Sequence, residues 1–150
     1  NKKDWDEKIF PIGAIIFSIL FIIININPAK DSYKDFSNMQ LVDSSIIEDI
    51  KENDLKKIYN CYNVGGYLIY NDIKPFIDGR ADMYSDNILK DYRIIDTMIL
   101  NARELIEEYD FDSFLVEKGS AIDNYIEENP NYIKISSDKN YNLYKKIVAN

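Results

Sequence analysis

Five side chains of chemical interest fall within the stretch Tyr62–Tyr84: Tyr67, Asp78, Arg80, Asp82 and Tyr84. Carboxylates and a guanidinium bind hydroxyls, and aromatic faces cover rings, so the set would suit a sugar. The same stretch holds Gly65, Gly66 and Gly79, three of the five glycines in the chain. Paired glycines permit unusual backbone angles or close approach of another group. Asp78-Gly79-Arg80 makes a tight turn and puts an anion beside a cation. A purely structural reading uses the same residues. Gly65-Gly66 then only starts a helix, Asp78 and Arg80 form a turn held by a salt bridge, and the tyrosines belong to the core with their hydroxyls at its edge. On physics alone the structural reading weighs more, since most loop charges are not catalytic.

Composition removes other chemistries. The chain has 150 residues, a net charge of −8 and no histidine. An acidic chain of this kind does not bind nucleic acid, which needs a basic face. It does not dock on anionic lipid by charge alone either. Without histidine the commonest metal ligand and general base are missing, and any base must be a carboxylate, Lys or Tyr. The lone Cys61 permits no internal disulfide and no zinc cluster, and within an apolar strand it reads as a buried thiol. Asp78, Asp82 and Asp86 lack the spacing of a calcium loop, so no metal is expected. Val64-Gly65-Gly66-Tyr67 is neither a P-loop nor a dinucleotide fingerprint, so no cofactor is expected.

The elements that must position these residues alternate. The pattern predicts a helix over 43–53, a strand over 57–62 and a short helix at 65–71. It then predicts a second short strand over 74–79, with Pro75 at its start, and helices from about Asp86 and over 102–110. A third strand over 112–119 and a helix capped by Ser120 and ending before Pro130 follow. Apolar and polar residues alternate on both sides of 137–140, which suits a terminal antiparallel hairpin. The fold class expected is α/β: a three-layer-like mixed sheet with helices, with parallel strands and a C-terminal hairpin, preceded by one transmembrane helix. In such sheets ligands collect at the carboxyl ends of strands, where both halves of the Tyr62–Tyr84 stretch are expected.

The transmembrane expectation rests on Ile9–Ile24, sixteen residues with no charge and one hydroxyl. Continued through Ile26 it reaches about 27 Å as a helix, close to a hydrocarbon core. The chain is therefore divided into a cytoplasmic flank (1–8), a membrane helix (9–27), a stalk (28–42) and an extracytoplasmic α/β domain (43–150), oriented by Lys2, Lys3 and Lys8. A first residue of Asn rather than Met reads as a fragment or a processed product.

One further pattern runs through the stretch. Asn60, then Gly65-Gly66-Tyr67-Leu68, then Phe76-Ile77-Asp78-Gly79-Arg80, then Asp82 and Tyr84 resemble the C-terminal extracytoplasmic part of large polytopic bacterial membrane proteins related to GT-C glycosyltransferases, including dolichyl-phosphate-mannose mannosyltransferase-like proteins. Val64 stands where members usually carry Trp. A looser similarity, in layout only, is to the soluble domain of oligosaccharyltransferase catalytic subunits. The resemblance implies a cell-membrane protein whose partners are the bilayer and a polyprenyl-phosphate sugar or a glycan acceptor. It also implies that the catalytic acid lies on an early external loop outside this chain. The domain would then shape the acceptor side of the active site, with Asp78, Arg80 and Tyr84 facing a membrane-proximal cleft, while Asn60, Gly65, Gly66 and Gly79 form the structural motif. The reading from another class is a membrane-tethered binding or scaffolding module with no enzymatic role.

Overall fold

The computed structural model describes residues 15–21 and 42–147. The chain divides into two compact units, Asn1–Gln40 and Leu41–Asn150. Of the first, residues 15–21 form helix α1, whose Ile15, Ile16, Phe17, Ile19, Leu20 and Phe21 are each more than half exposed. Among the described residues no helix is long and apolar enough to cross a membrane. The rest of the expected membrane helix, the flank at 1–8 and nearly all of the stalk lie outside the described residues.

The second unit is α/β. Helix α2 (Ser44–Glu52) starts on Asp43, whose side chain accepts from the Ser45 N–H. Strand β1 (Ile58–Asn60) leads through a 3₁₀ turn (Tyr62–Val64) into helix α3 (Gly65–Tyr70). A second 3₁₀ turn (Ala81–Met83) precedes α4 (Asp86–Thr97), which Ser85 caps, and α5 (Ala102–Tyr109). Strand β2 (Ser113–Glu117), helix α6 (Ala121–Glu128) capped by Ser120, and strands β3 (Tyr132–Ser137) and β4 (Tyr141–Lys146) complete the unit. The sheet runs β1-β2-β4-β3, with β1 parallel to β2 and the other pairs antiparallel.

Side-chain alternation along the strands divides the core between two faces. Ile58, Leu115, Tyr141 and Leu143 point to one face and pack with Ile46, Ile47 and Ile50 of α2 and Leu68 of α3. Tyr59, Phe114, Val116 and Tyr144 point to the other and pack with Ile94, Ile95, Leu105, Ile106, Ile122 and Ile126 of α4 to α6. Helices therefore cover both faces of the sheet. On the second face Asp123 is buried, and its carboxylate accepts from the Gly119 N–H, Asn142 Nδ2 and the Tyr144 hydroxyl, which ties α6 to β4.

Two expectations are corrected. The strand expected over 74–79 does not form; only Pro75 makes a single parallel bridge, to Ile58. Its backbone groups are satisfied instead by a side chain. Asn60 Oδ1 accepts from the Phe76 and Ile77 N–H groups at 2.8 and 3.4 Å, and Asn60 Nδ2 donates to the Ile77 carbonyl at 2.8 Å. The expected parallel strands thus reduce to one parallel pair. The hairpin is formed, and Asp138 closes its turn by accepting from the Asn140 and Tyr141 N–H groups.

The two adjacent glycines have different standing. A Cβ on Gly65 would lie 2.1 Å from the Ile77 carbonyl oxygen and 2.6 Å from Asp78 Cα, both backbone atoms that cannot step aside. A Cβ on Gly66 would meet nothing within 4 Å. Gly65→Ala should destabilise the domain by about 3 kcal/mol or prevent folding, as overpacking against fixed backbone does. Gly66→Ala, in the first turn of α3, should be neutral or stabilising by up to about 1 kcal/mol. Urea denaturation midpoints of the two variants check the contrast.

Candidate functional site

The site is assembled from the edge of the sheet outward. Asn60, the last residue of β1, is fully buried and holds residues 76–77 against the strand end. Gly65 opens α3 and lets that same backbone pass at contact distance. Together they deliver Asp78 into the interior, where it is 1% exposed.

A buried carboxylate needs donors, and Asp78 has four. Its Oδ1 accepts from the Arg80 N–H and from Arg80 Nε, both at 2.9 Å. Its Oδ2 accepts from Arg80 Nη2 at 2.8 Å and from the Tyr84 hydroxyl at 2.6 Å. The backbone contact closes an Asx-type turn, and the two guanidinium contacts form a bidentate fork. The Arg80 side chain itself remains 60% exposed. The Arg80 hydrogen bonds hold the Asp78 carboxyl well below the usual carboxylate range, overcoming the opposing effect of burial, and the Tyr84 hydroxyl adds to the lowering. The carboxylate in turn pushes the guanidinium further up. Tyr84 is raised by burial first and by its bond to Asp78 second.

This geometry limits the chemistry. Asp78 is ionised and its oxygens are engaged, so it neither takes nor gives a proton near neutrality. Tyr84 keeps its proton in a bond to Asp78. Of the five N–H donors of a guanidinium, the Arg80 side chain spends two on Asp78, and the rest can meet a ligand. The Asp78 carboxylate holds the Arg80 guanidinium as a fixed cation.

Arg80 and Tyr84, with Asp78 behind them, line a cleft of about 730 Å³. Phe76, Tyr109 and Phe111 supply aromatic faces there, in mutual contact at centroid distances of 5.0 to 5.4 Å. Ile58, Ile69, Ile73 and Ile88 add aliphatic wall, and Lys56, Lys57 and Lys74 bring positive charge. Lys56 pairs with Asp54 and Lys57 with Asp110, both exposed pairs. The cleft lies beside the β1 edge and along residues 72–80, and its lining begins at the residues that precede β1.

The structure thus brings together Asp78, Arg80 and Tyr84 and leaves two sequence candidates apart. Tyr67 is half-buried and packs against the core face that carries Leu68. Asp82 is exposed on the 3₁₀ turn and lines no part of the cleft. Gly66 and Gly79 have open space where a side chain would go, so neither is sterically required. Phe76, Tyr109, Phe111 and Lys74 were not among the candidates. Lys74 had a visible signal, with Lys56 and Lys57 bracketing the first strand and the 74–79 segment in an otherwise acidic chain; Tyr109 and Phe111 had none. Cys61 is half-buried; its sulfur accepts from the Glu117 N–H, and burial pushes the thiol up to about 12. Among the described residues no group of three or more His, Cys, Asp or Glu side chains could hold a metal.

The chain matches no protein-family model, no curated protein and no solved structure.

The Asp78–Arg80 ion pair has a pH signature. The folded Asp78 carboxyl is held below the unfolded-chain value of about 3.9, so the unfolded chain binds that proton more readily. Its stabilising contribution is complete above about pH 5 and is lost as pH falls through 4 towards the folded value. Asp78→Asn should lower stability at pH 7 by about 2 kcal/mol or more and flatten the loss of stability below pH 5. Urea midpoints at several acidic pH values check this. An unchanged pH profile in Asp78→Asn would contradict it.

Proposed function

We propose that residues 43–150 form an accessory, substrate-shaping domain of a membrane-bound glycosyltransferase that uses a polyprenyl-phosphate sugar, and that the domain is not catalytic by itself. One observation carries this reading: a guanidinium fixed by a buried carboxylate at the wall of an apolar, aromatic-faced cleft, with no group in the cluster free to move a proton. Aromatic and aliphatic walls accept hydrocarbon or the face of a sugar ring. Arg80 and the three lysines donate to phosphate oxygens. The resemblance of Asn60, Gly65-Gly66 and Phe76–Tyr84 to the GT-C-related proteins supports the same assignment, with the bilayer as a partner, the domain outside the cytoplasm and the transfer chemistry on another part of the parent protein.

A second reading is a membrane-tethered scaffolding module. The saturation of Asp78 favours it, because a carboxylate with four donors is fully accounted for by closing a turn.

Binding separates the two. The full chain in detergent micelles is titrated with undecaprenyl phosphate and, separately, with undecaprenol, while the Arg80 Nε–H resonance is followed. The accessory-domain reading expects the phosphate ester to move that resonance, the alcohol to bind more weakly, and Arg80→Gln to weaken phosphate binding by about tenfold or more. A native-like chain that ignores both lipids, with Asp78→Ala lowering the melting temperature and changing nothing else, would leave the scaffolding reading standing.

A further inference from the structure

Helices α4 and α5 fold back on each other. Tyr109, the last residue of α5, donates to Asp91 in the first half of α4 at 2.8 Å. The two helices are joined by Met98–Asn101, and this turn is built against backbone preference. Met98 (φ 52°) and Leu100 (φ 51°) are both left-handed, a region that side chains other than glycine avoid and that Asn or Asp tolerates best. The Met98 side chain packs against the core that holds Tyr59 and Phe114. Ile99 and Leu100 are left 50% and 83% exposed. A connection that only had to turn would place glycine or asparagine at 100. This one spends its strained position on a solvent-facing leucine beside a solvent-facing isoleucine.

The surroundings narrow what such a tip meets. No charged residue occurs from Thr97 to Asn101. The Thr97 hydroxyl donates back to the Arg93 carbonyl, so the tip offers no free hydroxyl proton. Arg93 and Arg103, two of the three arginines in the chain, flank it and are exposed, as is Glu104, Arg103 with its guanidinium over the Tyr125 ring at 5.4 Å; Asp96, next to Thr97, accepts from the Tyr59 and Tyr92 hydroxyls. An uncharged aliphatic tip with guanidinium groups set back from it matches the layering of a lipid interface, with hydrocarbon below and headgroup oxygens above. The same chain carries the sixteen-residue apolar run Ile9–Ile24. The sequence between that run and Val42 could reach at most about 60 Å. Tethering at such a distance gives a weak insertion a high effective concentration, so two aliphatic side chains suffice.

We propose that the Ile99–Leu100 tip inserts into the interfacial layer of a lipid bilayer and orients the domain against the membrane. This rests on the membrane-anchored part of the proposed function. At a net charge of −8 the insertion is driven by apolar burial, and anionic lipid does not strengthen it.

The test places a nitroxide on Leu100→Cys in the full chain, with Cys61→Ala removing the native thiol. A matching label on Tyr70→Cys, 83% exposed on α3 and on the other side of the sheet, is the control. Both proteins are reconstituted into phosphatidylcholine vesicles with and without phosphatidylglycerol, after thermal melts show a native-like transition. Power-saturation EPR then compares collisions with oxygen and with a water-soluble nickel chelate. The expected result is a several-fold preference for oxygen over nickel at position 100, none at position 70, and no gain from phosphatidylglycerol. Equal nickel accessibility at 100 and 70 on vesicle-bound protein would overturn the insertion while leaving the anchor intact. A chain that does not float with the vesicles at all would overturn the anchor and the insertion together.

Discussion

A carboxylate leaves water only when its oxygens find donors elsewhere, and the Tyr62–Tyr84 region is organised around meeting that requirement for Asp78. Four hydrogen bonds converge on it, three from Arg80 and one from Tyr84. None of them would be in reach without the backbone that brings Asp78 inward. That backbone is held by the Asn60 amide, which replaces the ladder of a strand that does not form, and by the absence of a side chain at Gly65. The chain of dependence runs from a strand end, through one amide and one missing methyl, to a buried anion. The buried anion in turn gives a surface arginine a single orientation. A free arginine on a loop would lose much rotamer entropy on meeting a ligand; this one has already lost it in folding.

The same dependence explains which parts of the molecule are legible in its sequence. The helices at 44–52, 86–97, 102–109 and 121–128 announce themselves by helical spacing of isoleucines and leucines, and by a cap at Ser120 that forms as the residue type predicts; at the start of the second, Ser85 and Asp86 are both capping types, and Ser85 is the one that caps. The hairpin is equally plain from its alternation. The segment 74–79 is not, because its apolar pattern reads as a strand while its hydrogen-bond partner is a side chain sixteen residues upstream. Periodicity carries no information about such a clamp. The cluster of Asp78, Arg80 and Tyr84 is visible because its members lie close in sequence. Tyr67 and Asp82 are equally close and lie outside the cleft, since helical and 3₁₀ geometry turn them elsewhere. Tyr109 and Phe111 enter the cleft from the far end of α5 and the residues before β2, a contact set by tertiary packing alone.

Charge is distributed to the same effect. The chain is acidic, yet three lysines and Arg80 gather around one apolar cleft. The only carboxylate in that lining besides the engaged Asp78 is Asp72. An anionic, partly apolar ligand fits such a lining, while Asp78 is held ionised and Tyr84 is held protonated. The proposed accessory role follows from that division between holding and reacting.

The central claim is that Asp78 is an ionised, buried anchor for Arg80. A pH titration of the side-chain carboxyl carbons by ¹³C NMR tests it without any ligand. The account predicts that the Asp78 resonance stays at its ionised position while exposed carboxylates titrate near the usual value of about 3.9, and moves only at lower pH or when the fold is lost. An Asp78 resonance that titrates alongside the exposed carboxylates in the folded chain would contradict it.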